Sequence, residues 1–163
     1  MIRKGMYIMT VEEKLEELGY VLPPCPAKGG VYTPCKVFHN GQLAYVSGCG
    51  PNIGDVNYKG KLGREVSFED GSKAAKNCIL NVLAVLKSRI GSLDKVKSCV
   101  KMLVFVASDN DFYDQPKVAN AATELLVEIF GEEIGCPSRS AIGVNVLPGN
   151  IAVEIELLTE LQI

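Results

Sequence analysis

Pro137-Ser138-Arg139-Ser140-Ala141-Ile142-Gly143-Val144-Asn145-Val146-Leu147, then Pro148-Gly149, then Ile151-Ala152-Val153-Glu154-Ile155-Glu156-Leu157-Leu158, form the stretch that decides how this 163-residue chain is read. Both flanks alternate with period two, which predicts strands over Arg139–Leu147 and Ile151–Leu158, joined by a turn at Pro148-Gly149. With a two-residue loop, Leu147 faces Asn150. Ser140, Ile142, Val144 and Val146 then share a core face with Val153, Ile155 and Leu157. The opposite face carries Arg139, Ala141, Gly143, Asn145, Ala152, Glu154 and Glu156. Small residues mixed with charges suit neither a core nor a solvated face rich in Lys and Glu. They suit a surface that meets another subunit around a polar pocket. A three-residue loop would reverse this parity.

Working outward, Pro116 stands near the start of a long helix. Val118, Ala121, Ala122, Leu125, Leu126, Ile129 and Phe130 form its inner face, and Gly131 ends it. Val96–Val106 reads as a strand with Val96, Val100, Met102, Val104 and Val106 on one parity; Leu103 and Phe105 make its second half apolar on both faces. Ser67 is the N-cap of a further helix, with Glu69 and Asp70 in its first turn, and Gly91 closes it. Gly48–Gly63 reads as a long ordered loop. Val31–Phe38 and Leu43–Ser47 form a hairpin around Asn40-Gly41. Thr10-Val11-Glu12-Glu13 is a capping-box pattern opening a short helix to about Leu18, which Gly19 ends. The order is ββαβαββ: an α+β fold with one mixed sheet and two helices on one face. It forms one domain, 1–163, made of an N-terminal helical extension, 1–23, and a core, 24–160. Either Met1 or Met9 is the natural start.

Bulk properties narrow the function. Apolar residues make up 47% and charged residues 22%, ordinary globular usage, and the net charge of -2 offers no basic stripe for nucleic acid. No apolar run approaches a membrane span, and no signal peptide is evident, which places the chain in the cytoplasm. The six cysteines (Cys25, Cys35, Cys49, Cys78, Cys99 and Cys136) include no Cys-x-x-Cys pair and read as reduced thiols. The one histidine, His39, sits at a turn tip, which argues against a histidine-rich metal site or a His-dependent nucleophile. Lys59, Lys61 and Arg64 match no phosphate-loop pattern and read as a solvated loop. No cofactor or metal is called for.

The segment Pro137-Ser138-Arg139-Ser140-Ala141, continuing through Leu147-Pro148 to Val153-Glu154-Ile155-Glu156, resembles the C-terminal signature of the Rid (YjgF-like) family. Asn40-Gly41, Tyr45-Val46-Ser47-Gly48, Pro51 and Phe130-Gly131-Glu132 look like further motifs of that family. The resemblance runs from about Pro24 to Thr159. The N-terminal helix, the loop around Tyr58–Arg64 and Asp114-Gln115-Pro116-Lys117-Val118 resemble a divergent branch of it. The resemblance implies a chorismate-mutase-like fold, a homotrimer, and ligand pockets between subunits. It also implies a hydrolase that converts enamine or imine acids such as 2-aminoacrylate into 2-keto acids and ammonia. Arg139 matches the arginine that grips the substrate carboxylate, for which a planar guanidinium fork is suited. Glu154 matches the glutamate that activates water. Tyr32, Ser47 and Gly48 match residues lining the pocket. The chain departs from the family's archetype at Ala141, where a cysteine is expected, and at Thr123, where an asparagine is expected.

The residues alone leave alternatives open. Arg139 could pair with Glu154 or Glu156 across an interface, Ser47 could only bond its own backbone, and Tyr32 could only pack. Cys35 and Cys49 read as core or pocket wall. The first functional expectation is an imine deaminase. A non-catalytic trimer binding small carboxylates is the alternative, and a ribonuclease or translation inhibitor is third, opposed by the acidic balance and the single histidine.

Overall fold

The structure, a computed structural model, describes residues 9–162. The choice between Met1 and Met9 as the start turns on residues 1–8, outside the described residues. The first helix, α1 (Val11–Glu17), has the expected capping box: Thr10 Oγ1 accepts from Glu13 N, and the Glu13 side chain accepts from Thr10 N. Its Leu15 is buried in the common core.

β1 (Cys35–Phe38) and β2 (Leu43–Cys49) form the expected hairpin, with positive φ at His39, Asn40 and Gly41. β1 is shorter than Val31–Phe38, because residues 31–34 are an exposed strap beside the sheet rather than part of it. The loop after β2 is pinned by Leu62, which is fully buried. Gly71 makes this possible, since a Cβ there would stand 2.4 Å from Leu62 Cδ2. α2 (Phe68–Ile90) starts at Ser67, whose hydroxyl accepts from Asp70 N, and ends at Gly91. Almost every residue from Ala74 to Leu86 is buried, so α2 is the central rod of the core.

β3 (Val96–Ala107) carries two register irregularities. They shift the expected parity: Cys99 is buried and Val100 is exposed, while Met102, Val104 and Val106 face the helices as read. α3 (Gln115–Phe130) ends at Gly131 and is followed by a one-turn helix, α4 (Glu132–Gly135), which the sequence reading lacked.

β4 (Ser138–Val144) and β5 (Val153–Leu161) complete one mixed sheet in the order β1-β2-β5-β3-β4, with α2 and α3 packed on one face. The α+β fold expected from ββαβαββ is present. The terminal hairpin is not. β4 pairs parallel with β3 and β5 pairs antiparallel with β3 and β2, so β3 lies between the two strands expected to pair. This corrects the face assignment. Arg139, Ala141 and Gly143 stand opposite Met102, Val104 and Val106, on the helix side. Ser140, Ile142 and Val144 stand opposite Leu103, Phe105 and Ala107, on the open side. Val153, Ile155 and Leu157 are core and Glu154 and Glu156 face the open side, as expected. No helix of the described residues is long and apolar enough to cross a membrane.

Candidate ligand site

The expected site residues fall into two groups. Three of them, Tyr32, Ser47 and Gly48, line one cleft of about 360 Å³ between the strap, the end of β2 and α2. Glu154 meets that cleft at Gly48. A Cβ on Gly48 would lie 2.1 Å from Glu154 Oε1, so the carboxyl group occupies the space a side chain would need. Glu154 is half-buried, and among the described residues no donor hydrogen-bonds it. Burial first, and then the charge of Glu156, raise its pKa above the ordinary 4.5. A carboxylate without donors, poised towards the protonated form, suits a base that takes a proton from water.

Ser47 Oγ donates to Thr33 O at 3.0 Å, and Ser47 N donates to Pro34 O at 2.9 Å. The hydroxyl therefore ties the strap to β2 rather than bonding its own backbone. Tyr32 OH accepts from Gly29 N at 3.2 Å and lies on the strap's exposed part. Cys49 is buried in the cleft wall; desolvation, followed by the nearby charge of Glu154, pushes its thiol up to about 12, so it stays protonated at neutral pH. Cys35 is also buried and raised, chiefly by desolvation. On the open face, Tyr45 OH donates to Glu156 Oε2 at 2.5 Å, and that bond leads the causes that raise Tyr45 to about 12.

Arg139 belongs to the second group. It lies back over α3: Nη1 donates to Thr123 Oγ1 at 2.9 Å, and Nη2 donates to Asn120 Oδ1 at 3.0 Å and to Pro116 O at 3.1 Å. Thr123 Oγ1 itself donates to Ala119 O at 3.5 Å, which orients a lone pair towards the guanidinium. All three acceptors are neutral, and among the described residues no carboxylate pairs with Arg139. Arg139 makes no ion pair with Glu154 or Glu156 of its own chain. Thr123, read as a departure in the pocket wall, serves as a ligand of the guanidinium, and Asn120 one turn earlier does the same. Sequence reasoning missed Asn120; its only signal was a polar residue at i, i+3 from Thr123 on a face that meets β4.

Glu154 and Ile142 flank Phe105 on either side, and Arg139 lies three residues before Ile142. Two strand spacings and three residues of rise separate Arg139 from Glu154 by roughly 14 Å, on opposite faces of the sheet. One chain therefore does not bring the two charges to a single small ligand. His39 is exposed at the β1–β2 turn, and among the described residues no three His, Cys, Asp or Glu side chains converge as metal ligands.

Residues 12–161 match the sequence profile of a family described as YjgF/chorismate mutase-like and provisionally labelled endoribonuclease. The chain is 39% identical over 154 residues to Protein TCP17 of Trypanosoma cruzi, covering 93% of this chain and 94% of that protein. It is similar in structure to the protein Atu1372 of Agrobacterium tumefaciens, of unknown function, with a TM-score of 0.84, 35% identity, and coverage of 94% and 93%. A Shewanella oneidensis protein, also provisionally labelled an endoribonuclease, gives a TM-score of 0.88 at 31% identity over 93% of this chain and 99% of that one.

Proposed function

The chain belongs to the YjgF/chorismate mutase-like family, and from that premise we propose that it is a cytoplasmic imine deaminase whose pocket forms between copies of a homotrimer. The observation that carries this reading is the separation of two groups that have no opposite charge paired with them among the described residues. Arg139 has no carboxylate partner among the described residues and Glu154 has no hydrogen-bond donor, yet the sheet holds them apart. β4 is an edge strand, and the open face beside it exposes Ile142 and, beyond the strand, Val146. An association along that edge brings Arg139 of one copy towards Gly48 and Glu154 of the next.

In that pocket Arg139 holds the carboxylate of a 2-imino acid, already oriented by Thr123 and Asn120. Glu154 takes a proton from water as the oxygen bonds to the imine carbon. Glu154 returns that proton to the nitrogen, giving the carbinolamine; as its C–N bond breaks, the hydroxyl proton passes through Glu154 to the departing nitrogen, which leaves ammonia and the 2-keto acid. The work required of the protein is orientation and a base in a partly desolvated setting. No cofactor enters, since the C=N bond is already activated.

The departure at Ala141 favours a second reading, a trimer that binds small carboxylates without turnover. The endoribonuclease label of some relatives finds little chemistry here: the single histidine is remote from both Arg139 and Glu154. The deciding experiment generates 2-aminoacrylate in place and follows its loss and ammonia release. Acceleration by wild type that disappears in Arg139→Ala supports the deaminase. No acceleration rejects it for this substrate, and equal rates in both proteins reject the role of Arg139.

A further inference from the structure

Resting on the deaminase reading, we propose that the cleft beside Gly48 is a side-chain subsite, and that it selects 2-imino acids with a long, largely apolar side chain ending in a hydroxyl or amide donor. The cleft measures about 360 Å³ and runs inward from Ser47 and Gly48 to α2. That is the size of a pocket for a medium-sized ligand, and the single methylene of 2-aminoacrylate would leave nearly all of it to water. Pro26, Pro34, Val85 and Ile151 give the walls an apolar character.

At the α2 end stands Asn81, only 4% exposed. Its Nδ2 donates to Gly50 O at 2.9 Å and Asn52 O at 3.0 Å, which uses both amide hydrogens and fixes the group. Its Oδ1 accepts nothing among the described residues, and it is not a sealed, unsatisfied atom. Asn81 lines the cleft, so a ligand seated at this end meets its amide group. A fixed acceptor at the inner end of an apolar slot favours a side chain that is apolar along its length and donates at its tip. Leaving that acceptor dry and unmatched is costly, so a ligand of the same shape without the donor binds less well.

The test is titration of the full-length protein with pyruvate, phenylpyruvate and 4-hydroxyphenylpyruvate, product-like 2-keto acids of increasing length. It is run beside the 2-aminoacrylate assay and repeated with Ala27→Phe, which adds a ring at an exposed position of the cleft wall. The expected result is phenylpyruvate binding at least about tenfold more tightly than pyruvate. 4-Hydroxyphenylpyruvate should gain roughly a further threefold to tenfold. Ala27→Phe should abolish both gains and leave pyruvate binding unchanged. Equal affinity for all three acids overturns the subsite; if 2-aminoacrylate is still hydrolysed with dependence on Arg139, the deaminase reading stands without it. A preference for the two aromatic acids with no effect of the hydroxyl overturns the role of Asn81. Graded binding without turnover of any imine keeps the subsite and rejects the deaminase.

Discussion

Gly48 and Glu154 share one space: the carboxyl group of Glu154 fills the position a Cβ of residue 48 would take, at 2.1 Å from its Oε1. Adding a methyl group therefore forces a half-buried charge to move. Gly48→Ala should destabilise the fold by up to about 1 kcal/mol, since the atoms in the way are the end of a flexible side chain, and the penalty should fall by at least half when Glu154 is also replaced by Ala. Urea denaturation of the four proteins measures this as a coupling energy; additive effects would show that the carboxyl group is elsewhere in solution.

Glu154 also sets a pH dependence. Its folded-state pKa is raised, by burial and then by Glu156. The folded protein therefore holds that proton more tightly than the unfolded chain does. The cost of its charge is absent below the unfolded value and fully present above the folded one. Glu154→Gln should consequently melt higher than wild type at neutral pH, with the difference vanishing as the pH falls through the glutamate range. The same variant should lose deaminase activity, whose acid limb in wild type should lie above the ordinary 4.5. A variant that is both less stable and inactive at neutral pH would indicate a structural role instead.

The three neutral acceptors around Arg139 predict that charge alone will not replace it. The single ammonium of lysine cannot satisfy Thr123 Oγ1, Asn120 Oδ1 and Pro116 O together and still hold a carboxylate. Arg139→Lys should weaken binding of a 2-keto acid by about tenfold or more, and Thr123→Val by roughly threefold, with melting temperatures nearly unchanged. Calorimetric titration gives the affinities; wild-type affinity in Arg139→Lys would mean that the fork is not used.

Gly135 closes α4 against α3, and a Cβ there would lie 2.3 Å from Leu126 O, a backbone atom that cannot step aside. Gly135→Ala should cost about 2–4 kcal/mol. Its effect on ligand affinity, compared at a temperature where the variant is folded, should be negligible because the residue lies outside the cleft. A fall in affinity there would connect α4 to the site.

Much of this was legible in the chain. Both long helices, their caps at Ser67, Gly91 and Gly131, and the β1–β2 turn follow from local rules that tertiary context did not override. The partner of β4 was not legible. Period-two alternation specifies which residues share a face of a strand, but not which strand lies beside it. Pro148-Gly149 resembles a hairpin turn, yet Gly149 and Asn150 both have positive φ in a short 3₁₀ turn that carries the chain past β3. Ile142 and Val146, apolar and read as core, are exposed: Ile142 stands on the open face of an edge strand, and Val146 lies beyond its end. Arg139 and Glu154 are singled out by motif spacing, whereas Asn120 and Asn81 look in sequence like ordinary polar residues of amphipathic helices. Only their contacts reveal them.

The position of β5 in the middle of the sheet has a consequence for how the molecule is made. The β1–β2 ribbon and the β3–β4 ribbon touch each other through no strand but β5, the one synthesised last. Until it arrives, two half-sheets wait with unpaired inner edges, and the core beneath them is open. Closure of the sheet therefore waits on contacts between sequence-distant strands, which slows folding. Removal of residues 153–161 should not trim the protein but split it, leaving two sticky ribbons that associate with other chains.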